Sequence, residues 1–219
     1  MRYCARDTGM GFGVAAGPAD ALVTDLDGFG DALAGVGVAD PARCAAVDPI
    51  PTDSRLLFEL DDGTTVGIPA GICQDAEVGG HTLDGGDVTA IFLGSLRFQR
   101  DDHSYAPPEV PAPTDCMASG ISPAVPTGEH LVAAIACTGS GVLRAVTMAG
   151  DEIARLDEAW RTASMDAPNC TDPGLSPTTI VARTDRGDLV RLDPTGCGQF
   201  TYRDHLVTFT YEDNTGGGS

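Results

Sequence analysis

Gly63 precedes Cys73 by ten residues and Gly187 precedes Cys197 by ten, and the residues around each pair follow one layout. In the first half Cys44 is followed by Leu56, Leu57, Phe58 and Leu60, by Asp61-Asp62-Gly63, by Val66 and Ile68, and by Gly71 and Cys73. In the second half Cys170 is followed by Ile180 and Val181, by Asp185-Arg186-Gly187, by Leu189, Val190 and Leu192, and by Gly196 and Cys197. An apolar pattern of helical spacing lies upstream of Cys44 and of Cys170, and each half begins with a further cysteine, Cys4 or Cys137. Two copies of a three-cysteine unit fit this layout better than coincidence does, which predicts one small module in tandem.

The seven cysteines include no CxxC pair, and His81, His103, His130 and His205 stand alone. Structural zinc needs ligands grouped so that four converge on a tetrahedron, so neither a metal nor a cofactor is expected. Cysteines spread in this way read as a disulfide framework formed in an oxidising compartment. The repeat pairs Cys44 with Cys73 and Cys170 with Cys197, each closing a loop of nearly thirty residues, for which chain entropy gives roughly 3.5 kcal/mol. Of the remaining three, repeat logic favours Cys116 with Cys137 and leaves Cys4 for a cysteine outside this chain. The competing pairing joins Cys4 to Cys116 and leaves Cys137 as a buried thiol.

Asp62-Gly63 and Arg186-Gly187 lie between apolar runs, where a glycine of positive φ suits a tight hairpin turn. Asp151 to Ala163 places Ile153, Leu156 and Trp160 on one face at steps of three and four, with Asp151 and Glu152 in the first turn, which predicts a helix. Ala19 to Val36 spaces Leu22, Leu26, Phe29, Leu33 and Val36 similarly, although Gly28 and Gly30 should bend or shorten that helix. Strands are expected before each helix, at Met1 to Ala5 and His130 to Cys137. After each hairpin they are expected at Val88 to Phe98 and Leu206 to Tyr211, where Val207, Phe209 and Tyr211 alternate with threonines.

The resulting order, strand-helix-strand-strand-strand, predicts an α+β fold in which a helix packs on an antiparallel sheet, repeated in tandem. The proline-rich stretch from Ala106 to Pro113 cannot join a sheet ladder. It sets the expected division: a first repeat over 1–105, a linker over 106–114, a second repeat over 115–213 and a Gly-rich tail over 214–219.

Thirty-two acidic residues face thirteen basic ones, all arginine, for a net charge of −19. Such a chain is repelled by a phosphate backbone or an anionic bilayer, so nucleic acid is not an expected partner. The 42% hydrophobic content supplies a core, yet the longest apolar run, Leu131 to Cys137, is too short to span a membrane. No apolar segment of the signal-peptide type follows Met1. A secreted or surface-tethered protein is expected, its signal or anchor lying outside this chain.

The pattern of a strand cysteine, a helix, Cys44 or Cys170, a glycine-turned hairpin and a closing Gly-Cys resembles small exported domains of actinobacterial lipoproteins and secreted proteins of unassigned role. Arginine-only basicity and heavy Ala, Gly and Asp usage are similar to those proteomes. In architecture alone, a helix-on-sheet tandem also resembles the β-lactamase inhibitory proteins of that group, whose cysteine spacings differ from these. The resemblance implies export and assigns no chemistry.

Candidate chemistry is sparse. Asp25, Asp27, Gly30 and Asp31 resemble part of a calcium loop, but Phe29 and Val36 occupy positions where ligands belong, so a solvated helix face is expected. Asp61-Asp62-Gly63 and Asp84-Gly85-Gly86-Asp87 could likewise hold a cation, but acidic turns are ordinary. Thr138-Gly139-Ser140-Gly141 lacks the spacing of a nucleophile elbow. His103 and His205 each follow an acid near the ends of the two halves, a placement expected to be structural. No catalytic residue is assigned and the chain is not expected to be an enzyme. The expected function is a non-catalytic binding module for an extracellular protein partner. The alternatives are a secreted inhibitor, or an extracellular hydrolase with its site between the repeats, using His130 or His205 with nearby acids.

Overall fold

The computed structural model describes residues 1–4, 18–44, 54–102, 105–106, 109–116, 129–139, 143–163, 178–196, 198–202, 205–209 and 211. It is a mixed α+β fold with antiparallel sheets. The described residues divide into two compact units, with the boundary between Glu109 and Val110.

In the first unit the order is β1 (Arg2–Cys4), α1 (Leu26–Ala34), the short α2 (Pro41–Cys44), β2 (Arg55–Glu59), β3 (Thr65–Pro69), β4 (Asp75–Val78), β5 (His81–Asp84) and α3 (Gly85–Asp101). One sheet runs β1-β2-β3, and β4 and β5 form a separate hairpin. The β2–β3 turn needs its glycine: Gly63 sits at φ 79°, its N–H donates to Leu60 O at 2.9 Å, and Leu60 N–H donates to Thr64 O. Buried Leu56 and Ile68 face each other across this hairpin and join Phe29 and Leu33 of α1 and Val88, Phe92 and Leu96 of α3 in one core.

Two expectations are corrected here. Val88 to Phe98 is helix, not strand. Its buried residues Val88, Phe92, Leu96 and Arg100 recur every four positions, and the Asp84 carboxylate accepts the Gly86 and Asp87 amides as an N-cap. The acidic turn expected at Asp84-Gly85-Gly86-Asp87 is therefore the start of α3. The helix expected over Ala19 to Val36 is confined to α1. Leu22 is buried, but it lies in extended chain whose N–H donates to Met1 O, and Asp25 breaks the helical path at φ 49°. Asp27 and Asp31 are exposed on α1.

That extended segment is held by the end of α3. Gln99 Oε1 accepts the Val23 and Thr24 amides at 2.7 and 3.0 Å, and its Nε2 donates to Ala21 O at 2.8 Å. Arg100 donates to both oxygens of Asp20, at 2.6 and 3.1 Å, in a pair buried on both sides. A buried, doubly bonded pair fixes the register of 20–24 more than it adds net stability.

The second unit contains β6 (Leu131–Thr138), β7 (Arg144–Thr147), α4 (Gly150–Arg161), β8 (Thr179–Thr184), β9 (Leu189–Gly196), β10 (Gln199–Tyr202) and β11 (His205–Thr208). They form a six-stranded sheet in the order β11-β10-β9-β8-β6-β7. The β8–β9 turn repeats the bonds of the β2–β3 turn: Gly187 N–H donates to Thr184 O, Thr184 N–H donates to Asp188 O, and Gly187 has φ 84°. The first strand of each unit pairs with the first strand of its hairpin, β1 with β2 and β6 with β8, but neither unit keeps the expected strand-helix-strand-strand-strand order: β7 comes between β6 and α4, and α2 and α3 are added in the first unit. The hairpins are followed by different elements: β4, β5 and α3 in the first unit, β10 and β11 in the second.

Alternating strands bury one face. Ala134 to Cys137 and Ile180 to Ala182 are buried without a break, so β6 and β8 are covered on both faces. α4 packs against β6 and β11, burying Leu156 and Trp160. Trp160 meets Tyr202 edge-on at 5.1 Å, and its Nε1 donates to Glu129 O at 2.9 Å, so the indole loses no hydrogen bond on burial. Pro113 and Cys116, both buried, belong to the extended stretch ahead of β6, and Cys116 is bonded to Cys137 of that strand.

Candidate functional site

Of the cysteines singled out from sequence, the structure brings together Cys44 with Cys73, whose α-carbons are 5.6 Å apart, and Cys116 with Cys137, also 5.6 Å apart, each pair in a disulfide. Cys4 is exposed in β1 and makes no disulfide. Cys170 and Cys197 lie outside the described residues.

The Cys44–Cys73 bond lies at the start of α3. Asp84 faces it with both oxygens occupied: Oδ1 caps the helix, and Oδ2 accepts the Cys73 amide at 2.8 Å and lies 3.8 Å from Cys44 Sγ. Cys73 itself adopts a left-handed backbone, φ 60°. The two sulfurs and the carboxylate lie within 4.8 Å of one another, the spacing of metal ligands. With the sulfurs bonded to each other neither is a thiolate, so this geometry is that of a crosslink tied to a helix cap.

The other cluster is at the opposite end of sequence logic, because nothing in the spacing of its members announces it. β6 begins beside the last turns of α4, and Asp157 on that helix reaches the strand. Its Oδ1 accepts the Leu131 amide at 2.7 Å; its Oδ2 meets His130 Nδ1 at 3.0 Å and accepts Arg161 Nε at 3.2 Å. Partial burial pushes the Asp157 carboxyl up, but the His130 hydrogen bond, the Leu131 amide and the charges of His130 and Arg161 outweigh it, so it ionises below its usual range. The His130 amide donates to Asp185 at 3.3 Å.

An imidazole held through Nδ1 by a carboxylate presents its other nitrogen as a base, which is the chemistry a hydrolase would use. Here the His130 side chain is 55% exposed, and among the described residues no hydroxyl or thiol nucleophile is bonded to it. The expectation of His130 with nearby acids names no partner, and the structure supplies Asp157. The Asp157–Arg161 spacing was legible as a helical surface pair, whereas the contact with His130 spans 27 residues and has no local signature. His81 is exposed at the β4–β5 turn, opposite Val78. His103 and the His205 side chain lie outside the described residues.

No described helix is long and apolar enough to cross a membrane. Comparison with protein-family models, with curated proteins and with solved structures gave no match for this chain.

Proposed function

We propose that this chain is a secreted or surface-tethered, non-catalytic module that binds an extracellular protein through its first unit. One observation carries the reading. Among the described residues, the large apolar side chains left exposed are Val23, Leu26, Val38, Leu60, Val66, Ile72 and Phe98 in the first unit, against Val132 in the second. Phe98, on α3, is 80% exposed. Scattered exposed aliphatics are ordinary, but their concentration on one of two units marks the surface that gains by being covered. The two disulfides support an oxidising compartment.

A photo-crosslinking residue placed at Phe98, Leu60 or Ile72, with Asp151 and Thr208 of the second unit as controls, tests this in the secreted and envelope fractions of the producing cell. Discrete adducts from the first set alone are expected. No adduct from any first-unit position overturns the reading.

The second reading, an extracellular hydrolase, is favoured by the His130–Asp157 pair. It requires that turnover of some ester, peptide or glycoside substrate be lost in His130→Gln.

A further inference from the structure

Phe29 of α1 and Phe58 of β2 meet with ring centroids 6.1 Å apart. Phe58 lies directly opposite Val66 in the β2–β3 ladder, so the two share a face of the sheet. Leu26 lies one turn before Phe29 on the same side of α1. Phe29 is buried and Phe58 half-buried, yet Leu26 is 52% exposed, Val66 42%, and Leu60, just beyond the end of β2, 48%. The apolar face that meets α1 through Phe29 and Phe58 thus continues into exposed Val66 towards the hairpin turn.

The charges around this strip are of one sign. Leu26 stands between Asp25 and Asp27, and Leu60 is followed by Asp61 and Asp62 of the turn, all exposed, whereas Glu59 of β2 alternates to the other face. Two of these carboxylates are fixed in place: Asp25 accepts the Gly28 amide at 3.3 Å and Asp62 the Thr64 amide at 2.8 Å. The cations of the adjoining β1–β2 ladder, Arg2 opposite Leu57 and Arg55 opposite Cys4, alternate onto the other face of the sheet from Phe58 and Val66. A nucleic acid or an anionic lipid is repelled here, and a neutral apolar ligand would strip water from carboxylates without replacing it. An occupant with apolar side chains flanked by positive charge satisfies both the strip and its rim.

Building on the binding-module reading, we propose that the strip formed by Leu26, Phe58, Leu60 and Val66 docks a protein segment that presents aliphatic or aromatic side chains interleaved with arginine or lysine. The Asp25, Asp61 and Asp62 carboxylates receive those cations.

The probe is a synthetic amphipathic peptide of leucine and lysine, with a glycine–lysine peptide of equal charge and a leucine–glutamate peptide as comparisons. Binding to the full chain is measured by fluorescence anisotropy. The leucine–lysine peptide is expected to bind at least about tenfold more tightly than either comparison, the scale of losing a desolvated contact. Leu60→Ser with Val66→Ser, and separately Asp61→Asn with Asp62→Asn, should each weaken it by about tenfold, whereas Asp151→Asn with Glu158→Asn on α4 should leave it unchanged. Leu60→Gln with Val66→Thr, which keeps strand propensity, replaces the serine pair if that variant melts early. Equal binding of the glycine–lysine peptide, an equal loss in the α4 variant, or no loss in the strip variants overturns the proposal. If the strip fails this test while crosslinks persist at Phe98 and Ile72, the module reading stands and only this site falls. If no first-unit position crosslinks, the module reading itself fails.

Discussion

Asp157 of α4 accepts the Leu131 amide at 2.7 Å and meets His130 Nδ1 at 3.0 Å, so one carboxylate clamps the helix to the beginning of β6. The clamp is mostly shielded, with 14% of the Asp157 side chain exposed, and it leaves the Leu131 amide without a partner if removed. Asp157→Ala should destabilise the second unit by about 2 kcal/mol, the usual scale for hydrogen bonds to a charged group. Trp160 is the only tryptophan and is buried in this unit, so urea unfolding followed by its fluorescence reads the effect directly.

The same carboxylate gives the second unit an acid limit. Its folded pKa lies below the unfolded value, so its contribution is complete above about pH 4 and is lost as pH falls through the folded value. Asp157→Asn should be less stable than the parent at neutral pH and should lack that part of the acid decline. Superimposable profiles for the two proteins below pH 4 and at pH 7 would contradict this.

Breaking the Asp20–Arg100 pair from one side should cost far more than deleting it. Arg100→Met strands a fully buried carboxylate, for which about 3–5 kcal/mol is expected. Asp20→Leu combined with Arg100→Met should recover most of that loss. A double-mutant cycle on chemical denaturation midpoints decides the matter, and additive losses would show that the pair does not interact.

Tyr105 responds to the same carboxylate at high pH. Burial, the Asp20 charge and a hydrogen bond to Asp20 push its phenol up to about 12, against the opposing pull of Arg100 and Gln99. Because the folded value is raised, the stabilisation is complete below about pH 10 and disappears as pH rises from 10 towards 12. Ultraviolet titrations of the parent and of Tyr105→Phe should differ by one phenol ionising at about 12.

Replacing both Cys44 and Cys73 by serine should destabilise the first unit by about 3.5 kcal/mol, given a separation of 29 residues. Peptide mapping without reduction should recover Cys44 linked to Cys73 and Cys116 linked to Cys137. It also decides the expected Cys170–Cys197 bond. Cys44 recovered with any other partner would exclude the proposed crosslink.

The hairpins were legible because their turns are local: a glycine of positive φ at position 63 or 187, flanked by apolar runs, has few alternatives. The α4 helix was legible for the same reason, its stripe and its acidic first turn lying within twelve residues. α3 departs from the expected strand because Val88, Ile91 and Phe92 have strong strand propensity, and Gly94 and Ser95 interrupt the helical pattern. The decisive signal, Asp84 capping Gly86 and Asp87, resembles an acidic turn until its geometry is known. α1 is shorter than its pattern predicts because Leu22 keeps helical spacing with Leu26 while its amide bonds to Met1 O ahead of the helix. Nothing local joins His130 to Asp157 or Gln99 to Val23. Such contacts arise from topology, which the residue pattern constrains only loosely.

The hold that Gln99 and Arg100 keep on residues 20–24 also sets an order of events. These bonds link positions 75 to 80 residues apart, and closing a loop of that length costs roughly 4 kcal/mol of chain entropy before any of them forms. Helix α3 and the β2–β3 hairpin need no such closure and can assemble early. Residues 20–24 therefore dock late in refolding, and the Val23 and Thr24 amides should be among the first of the first unit's bonded amides to exchange with solvent when the native state opens.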